Sequence, residues 1–257
     1  MQLLKNKIVF ITGASSGIGK ACAKEFAKEG ASLILSARRN EQLRKFSESL
    51  NKQYKVNVHI LKLDVRNLDE VKKSIASLSD KWQKIDILVN NAGLARGFDK
   101  LYEGKIADWE EMIDTNIKGL LYVTRQILPK MVERLEGHIV NIGSTAGHEV
   151  YPNGNVYCAT KFAVNALTQA IRVDTVDKNI RVTSVDPGMV LTEFSYVRFS
   201  GDAERAKKVY EGIMPLSADD IASTVLFCIT RPSHVNISEV ILTPTQQASV
   251  AYLHRKK

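Results

Sequence analysis

The stretch that decides the fold runs from Ile8 to Lys20 and reads IVFITGASSGIGK. It joins a β-branched apolar run to a glycine-rich turn, and the apolar spacing of a helix follows at Ala23, Phe26 and Ala27. Glycines permit a tight turn and let backbone N–H groups approach an anion, which the positive end of the helix also attracts. The segment therefore predicts a phosphate-binding turn, although such a turn can also serve only to pack a helix on a strand.

The same alternation of short apolar runs and longer helical patterns continues along the whole chain. Near-continuous apolar runs are typical of parallel strands buried on both faces, and right-handed crossovers make such a sheet doubly wound. We predict a single α/β domain over residues 1–257, with a Rossmann-like, doubly wound, parallel seven-stranded sheet. The predicted strands are 8–11, 32–36, 58–63, 87–90, 138–142, 181–185 and 239–242.

Composition excludes several classes of protein. The 257 residues have 44% hydrophobic and 25% charged content, as in an ordinary globular domain. The net charge of +8 is compatible with anionic ligands, but the lysines alternate with acidic residues along helices and no nucleic-acid motif is present, so we expect no nucleic-acid partner. The final HRKK is expected to be a solvated tail.

The number of cysteines and the first residues of the chain suggest the cellular compartment of the protein. Three cysteines, at positions 22, 158 and 228, are too few for a disulfide framework and suggest reduced thiols in a cytoplasmic protein. The first apolar run is too short for a signal peptide or a membrane span. The histidines lack ligand spacing, so we expect no metal, and His148 is interpreted as a loop residue.

The second strand suggests which dinucleotide binds. An acidic residue at this position would bind a ribose 2′-hydroxyl, whereas arginine suits a 2′-phosphate. Here the strand is followed by Arg38 and Arg39, which favours NADP(H) over NAD(H) unless both are only the solvated start of the next helix. Asp64 and Val65, after the third strand, are candidates to hold the adenine. The candidate contacts in the first turn are Gly13, Ser15, Ser16, Gly17, Ile18 and Gly19.

A tyrosine and a lysine four residues apart are the candidate proton-transfer pair. Tyr157 and Lys161 share one face of a predicted helix, and an ammonium beside a phenol favours the phenolate. Such pairs are also common on exposed helix surfaces. Ser144 ends the fifth strand at the sheet edge where ligands bind in open α/β folds, so it can hydrogen-bond a substrate oxygen.

Taken together, these motifs resemble the short-chain dehydrogenase/reductase family over nearly the whole chain. The matching segments are TGASSGIG at 12–19, NNAG at 90–93, Asn116, Ser144, YCATK at 157–161 and Pro187-Gly188. The resemblance implies a catalytic tetrad of Asn116, Ser144, Tyr157 and Lys161. In this family the tyrosine exchanges the proton, the serine polarises the reacting oxygen, the lysine binds the nicotinamide ribose, and the asparagine holds a water molecule.

The resemblance also implies further contacts and an assembly. Homotetramers or dimers are usual in the family. The further cofactor contacts it implies are Asn91, Ala92, Gly93, Pro187, Gly188, Val190 and Thr192.

The segment 189–215 is the predicted substrate loop. Its TEFSYVRF run resembles the subgroup of NADP-dependent serine 3-dehydrogenases, also called 3-hydroxy acid or L-allo-threonine dehydrogenases. A small hydroxy acid needs a cation for its carboxylate; Arg198 is the first candidate and Arg96 the second, although loop arginines often form surface ion pairs. Three alternatives remain: a broad carbonyl reductase, a 3-oxoacyl carrier-protein reductase, and a catalytically silent NADP(H) sensor.

Overall fold

The fold is described for residues 2–256 in a computed structural model. Within that range one sheet contains seven parallel strands in the order β3-β2-β1-β4-β5-β6-β7, which confirms the predicted fold class. Each predicted strand is present, and the bounds differ from the predicted ones by two residues at most. The strands are β1 Ile8–Thr12, β2 Ser32–Ala37, β3 Val58–Lys62, β4 Ile87–Asn90, β5 Gly137–Ile142, β6 Ile180–Pro187 and β7 Glu239–Leu242.

Helices connect the strands and cover both faces of the sheet. A π-helical turn, Asp114–Gly119, links two of them, and π turns of this kind are frequent at functional sites. The α-helices are α1 Gly17–Lys28, α2 Asn40–Tyr54, α3 Leu68–Ala76, α4 Asp80–Gln83, α5 Ile106–Ile113, α6 Leu120–Arg134, α7 Asn155–Asp174, α8 Phe194–Arg198, α9 Ala203–Lys208 and α10 Ala218–Ile229.

The core has two layers because successive side chains of a strand point to opposite faces. In β1, Val9 and Ile11 pack with Phe26 of α1 and Val225 of α10, whereas Phe10 packs on the other face with residues of α3 and α6. All of these side chains are fully buried. The order of the strands reverses between β1 and β4, so the connections leave a crevice above their carboxyl ends.

The predicted substrate loop is folded over that crevice. It contains α8 and α9, and its base is closed by backbone hydrogen bonds of Leu191 N to Leu216 O (2.8 Å) and Leu216 N to Met189 O (2.9 Å). Residues 254–256 are exposed, as predicted for a solvated tail, but hydrogen bonds anchor them to the protein: the Arg255 guanidinium donates to the carbonyl of Val209 at 3.0 Å. Lys257 lies outside the described residues. No helix within residues 2–256 has the length and apolar character to cross a membrane.

The start of α10 gives a test of helix capping. Ser217 Oγ accepts from Asp220 N at 3.2 Å, and Asp220 Oδ2 accepts from Ser217 N at 2.7 Å. We expect Ser217→Ala to lower the free energy of unfolding by about 1 kcal/mol, because the first turn of the helix loses a cap. Urea unfolding measures this, with Ser223→Ala as the control; equal losses in both variants would contradict a capping role.

Candidate active site

A cleft of about 1160 Å³ opens at the carboxyl ends of the strands, and most of the predicted site residues line it. Gly19 and Asn116 do not line it. The predicted positions that do are Gly13, Ser15, Ser16, Gly17, Ile18, Arg38, Arg39, Asp64, Val65, Asn91, Ala92, Gly93, Ser144, Tyr157, Lys161, Pro187, Gly188, Val190, Thr192 and Arg198. The structure therefore brings residues from all parts of the sequence to one site.

The conformation of the glycine-rich turn is fixed by its backbone dihedral angles and by hydrogen bonds from Asn91. Gly13 and Gly17 adopt φ values of +65° and +52°, which favour glycine. The Asn91 side-chain amide donates to Thr12 O at 2.9 Å and to Gly13 O at 3.2 Å. A Cβ atom on Gly19 would lie 2.6 Å from Gly13 O, so Gly19 shapes the turn from behind without lining the cleft.

The two arginines after β2 differ in their contacts. The Arg39 guanidinium donates to Ser15 Oγ at 3.2 Å and to Ser16 Oγ at 2.6 Å, and it pairs with Glu193 of the substrate loop at 2.9 Å. The Arg38 side chain is 52% exposed and lies 3.7 Å from a carboxylate oxygen of Glu111. Arg39 thus contacts the glycine-rich turn directly, whereas Arg38 borders the cleft beside Glu111.

Asp64 is engaged by a neighbour that the sequence reading did not identify. Arg66 Nη2 lies 2.6 Å from Asp64 Oδ2, and Arg66 also contacts Glu111 at 3.2 Å. Burial disfavours the carboxylate, but the hydrogen bonds from Arg66 hold the pKa of Asp64 below its usual range. Asp64 is therefore a fixed carboxylate at the cleft wall, and its side chain is already paired.

Tyr157 is buried at the centre of the cleft beside the substrate loop. Its ring packs against Phe194 with the centroids 5.6 Å apart, and the Arg198 guanidinium carbon lies 5.7 Å from the Tyr157 ring. Ser144 lies two residues after β5 and accepts a hydrogen bond from Ala146 N at 3.1 Å, which fixes its hydroxyl at the sheet edge. The phenol and this hydroxyl thus face the same space, as the resemblance implied.

Lys161 is a buried ammonium, 7% exposed. Its Nζ atom donates to Ile142 O at 2.9 Å and lies 5.9 Å from the Tyr157 ring centre. Burial lowers the pKa of Lys161 to about 8, and the charge of Asp186 opposes that change. A partly desolvated cation therefore stands one helical turn from the phenol.

The expected lowering of the phenol pKa is not what the structure gives. Burial raises the pKa of Tyr157 above its ordinary value, while Ser144 and Arg198 act in the opposite direction because a hydroxyl donor and a cation both favour the phenolate. The spacing of Tyr157 and Lys161 indicated the neighbouring charge, but it carried no information on how deeply the closed loop buries the ring. The protonated phenol is thus the favoured form in this conformation.

Asn116 is fully buried in the π-helical turn and lies behind the cleft. Its Oδ1 accepts from Leu94 N at 2.9 Å, and its Nδ2 donates to Leu94 O at 2.9 Å and to Thr160 Oγ1 at 3.0 Å. These bonds tie the segment after β4 to the helix that carries Tyr157 and Lys161. The side-chain amide is engaged in these three bonds, and the role of holding a water, which the resemblance implied, stays a prediction.

Arg198 is a buried cation with part of its bonding capacity free. Its Nε donates to Gly97 O at 2.9 Å and its Nη1 to Tyr151 OH at 2.8 Å. Its Nη2 is buried and has no hydrogen-bond partner within residues 2–256. The Phe98 ring centre is 4.7 Å from the guanidinium carbon, so the cation is held between aromatic faces.

The second candidate, Arg96, differs from Arg198 although it also lines the cleft. Its Nε donates to Glu111 Oε2 at 2.6 Å and its Nη1 to Val197 O at 2.6 Å. Arg96 therefore already has a carboxylate partner, which it shares with Arg66. This ion pair could not be seen in the sequence, because the two residues meet only through the packing of α5 against the segment after β4.

Sequence reasoning missed several residues that line the cleft. Phe98 is one, and the C-terminal segment contributes Gln247, Val250, Leu253 and Arg255. Gln247 is buried and accepts from Met189 N at 2.9 Å, which secures the start of the substrate loop. No local pattern marks these positions, since their place depends on how the C-terminal segment folds back.

The comparison with known families agrees with this architecture. Residues 7–202 match the family model described as short chain dehydrogenase. An NADP-dependent 3-hydroxy acid dehydrogenase of Schizosaccharomyces pombe is 44% identical over 258 residues, covering 100% of both chains. A serine 3-dehydrogenase of Rhizobium radiobacter is 41% identical over 244 residues, covering 95% of this chain and 96% of the relative. The chain belongs to the short-chain dehydrogenase family.

Solved structures show the same likeness in three dimensions. The closed form of a serine dehydrogenase complexed with NADP+ superposes with a TM-score of 0.91 at 44% identity, covering 97% of this chain and 100% of that one. A serine dehydrogenase from Escherichia coli gives a TM-score of 0.82 at 40% identity, covering 94% and 99%. The family resemblance inferred from the motifs is thereby confirmed.

The buried ammonium predicts a pH dependence of stability. The pKa of Lys161 is about 8 in the fold and 10.5 ordinarily, so between these values the unfolded chain binds more protons than the folded one. The free energy of unfolding of the native protein, relative to Lys161→Met, should therefore rise by up to about 3 kcal/mol from pH 8 to pH 10.5. Urea titrations across this range test it, with exposed Lys24→Met as the control; parallel curves for Lys161→Met and the native protein would contradict it.

Proposed function

We propose that the protein is an NADP(H)-dependent oxidoreductase that interconverts small 3-hydroxy acids and 3-oxo acids, with serine and allo-threonine among the candidate substrates. The observation that carries the substrate class is Arg198, a buried guanidinium beside Tyr157 with one nitrogen free for an anion. The relatives named for 3-hydroxy acid and serine dehydrogenation support the same class.

The residues of the cleft fit NADP(H). The Gly13 to Gly19 turn offers backbone N–H groups at the start of α1, and Arg39 at this turn, with Arg38 nearby, suits a 2′-phosphate. Asp64 and Val65 would border the adenine, while the nicotinamide end would meet the residues of the loop and sheet edge. Asn91, Ala92, Gly93, Pro187, Gly188, Val190 and Thr192 would complete these contacts. When bound, the nicotinamide accepts or supplies the hydride.

The protein's own residues would handle the proton and the reacting oxygen. In oxidation the substrate hydroxyl gives its proton to Tyr157 Oη; in reduction the phenol returns it to the new oxygen. Ser144 holds that oxygen by a hydrogen bond, and the Lys161 ammonium favours the phenolate while it binds the nicotinamide ribose. Asn116 positions the Tyr157 and Lys161 helix through Thr160.

The buried phenol has a consequence for the direction of proton transfer. Since burial raises the pKa of Tyr157, the residue is a ready proton donor in the closed cleft. Acceptance of a proton requires the ammonium and guanidinium charges nearby to stabilise the phenolate. Oxidation should therefore need a higher pH than reduction.

The substrate carboxylate would pair with Arg198. Tyr151 and Gly97 fix two sides of the guanidinium, whose carbon lies 5.7 Å from the Tyr157 ring centre, and the third nitrogen is buried without a hydrogen-bond partner within residues 2–256. In a 3-hydroxy acid the carboxylate is two carbons from the reacting carbon, a short separation that matches an arginine adjacent to the proton-transfer residue. A buried, unpaired donor also makes a neutral substrate unfavourable, because the donor stays unsatisfied.

Initial rates at 340 nm with purified protein test the proposal. L-serine, L-allo-threonine, 3-hydroxybutyrate and 3-hydroxyisobutyrate are compared with a neutral alcohol, each with NADP+ and with NAD+. We expect oxidation of the acids with NADP+, and a loss of about 10²- to 10⁴-fold in Tyr157→Phe because the proton-transfer group is gone.

Three other results would contradict parts of the proposal. Turnover only with neutral substrates would overturn the substrate class and favour a broad carbonyl reductase. Turnover only with carrier-linked 3-oxoacyl groups would favour a carrier-protein reductase. No turnover with any carbonyl or alcohol, despite NADP+ binding, would favour a silent sensor.

A variant of Arg198 tests the carboxylate contact separately. Arg198→Met keeps the aliphatic bulk between the aromatic rings but removes the charge, so kcat/KM for the hydroxy acids should fall about 10²-fold while a neutral ketone changes little. Steady-state kinetics of Arg198→Met, with Arg198→Lys as the charge-retaining control, measure the difference. Equal losses for acid and neutral substrates would show a structural role only.

The state of assembly and the compartment are part of the same proposal. We propose a cytoplasmic homotetramer, since members of the family usually form tetramers or dimers. Helices α6 and α7 present exposed apolar side chains, such as Leu121, Phe162 and Val173, that a partner chain can cover. Light scattering of the purified protein gives the number of chains directly.

A further inference from the structure

A buried charged cluster lies beneath Lys161, between α7 and the end of the sheet. Asp186 of β6 is 1% exposed, and His148, from the turn after Ser144, reaches it with Nε2 at 2.9 Å from Oδ2. Ser184 Oγ donates to Asp186 Oδ1 at 2.6 Å. Both carboxylate oxygens are thus engaged, and the proton-transfer scheme above uses none of these three residues.

The sheet register explains why the cluster forms there. Ser184 and Asp186 are two residues apart in β6, so their side chains point to the same face, and Glu239 of β7 pairs with Ser184 on that face. Asn165 of α7, one turn after Lys161, donates to Glu239 Oε1 at 3.1 Å. The face of α7 that carries Lys161 therefore packs on these acidic side chains.

The carboxylate is held against the backbone that anchors Lys161. Lys161 Nζ donates to Ile142 O, and the next residue, Gly143, leaves no room for a side chain because a Cβ atom there would overlap Asp186 Oδ1. Gly147 also packs closely on Lys161 O, which would lie 2.8 Å from an added Cβ. The peptide between Ile142 and Gly143 thus has the ammonium at its oxygen and the carboxylate beside its following α-carbon.

We propose that Asp186, held by His148 and Ser184, is a positioning residue that keeps the Lys161 ammonium charged and in place beside Tyr157. A desolvated ammonium is costly unless a negative charge compensates it. Asp186 provides that charge without entering the cleft, since it does not line it. The inference rests on the proposed function, because it assigns a way in which the proton-transfer residue is supported.

The charges around Asp186 determine the direction in which its carboxylate changes the pKa of Lys161. The groups that face it are His148 from the turn, Glu239 from β7 and Lys161 from α7. Burial raises the pKa of Asp186, while Ser184 and His148 favour its ionised form. The carboxylate in turn raises the pKa of Lys161 against the effect of burial. Loss of the carboxylate charge therefore makes Lys161 lose its proton at a lower pH.

The test is the pH profile of kcat/KM for NADP+-linked hydroxy acid oxidation, from pH 6 to pH 10. With Asp186→Asn, the alkaline limb should move down by about 0.5 to 1 pH unit, because Lys161 loses its proton at a lower pH without the carboxylate. A purely structural role would instead lower kcat/KM evenly across the pH range.

Three further variants separate position from charge, and all are at two partly exposed residues, His148 and Glu239, where folding is less at risk. His148→Ala removes a donor from the buried carboxylate and should narrow the profile as Asp186→Asn does, whereas His148→Gln restores a donor and should restore the profile. Glu239→Gln removes a charge of the same cluster that is 39% exposed, and it should leave both limbs in place.

The outcomes distinguish the two proposals. If the native protein oxidises no hydroxy acid with NADP+, the proposed function fails and this inference falls with it. If the native protein is active and Tyr157→Phe is not, but Asp186→Asn and His148→Ala give profiles that superpose on the native one, only the role of Asp186 is overturned. A shift in Glu239→Gln equal to that in Asp186→Asn would also overturn it, since any local charge would then suffice.

Discussion

The junction between β1 and β4 is the constraint on which the rest of the site depends. Thr12 Oγ1 at the end of β1 accepts from Asn91 N at 3.0 Å and from Ala92 N at 2.9 Å, and the Asn91 side chain returns bonds to the Thr12 and Gly13 carbonyls. These contacts join the carboxyl ends of the two central strands, at the point where the connections that follow these strands separate. The glycine-rich turn and the segment after β4 therefore form the two rims of one cleft.

From this junction the proton-transfer residues are placed by a chain of buried polar contacts. Asn116 links the segment after β4 to Thr160 of α7, and the next residue of the helix, Lys161, is anchored on β5 through Ile142 O. Each bond joins a different connection of the fold to α7. The position of Tyr157 is thus set by the segment after β4 and by β5 together, which explains how a side chain on a single helix is held firmly at the sheet edge.

The sequence predicted what depends on local spacing, and it missed what depends on packing between distant segments. Strand positions, the glycine turn and the Tyr157 and Lys161 spacing are local, so they were read correctly. The pairing of Arg66 with Asp64 is also local, but a spacing of two residues in a loop gives no periodic signal in the sequence. The contact of His148 with Asp186 spans 38 positions and exists only because β5 and β6 are neighbours in the sheet. The burial that raises the pKa of Tyr157 likewise depends on a folded loop whose closure no motif encodes.

The distribution of charge in the cleft shows why one arginine differs from the others. Arg39 pairs with Glu193, and Arg66 and Arg96 share Glu111, so each of these cations already has a carboxylate partner. Arg198 has only neutral partners, a carbonyl and a phenol, and three aromatic rings around it. A buried cation with neutral neighbours attracts an anion strongly, whereas the charge of a paired cation is partly compensated by its carboxylate. Arg198 therefore differs from these paired arginines, because its buried charge has no carboxylate partner within residues 2–256.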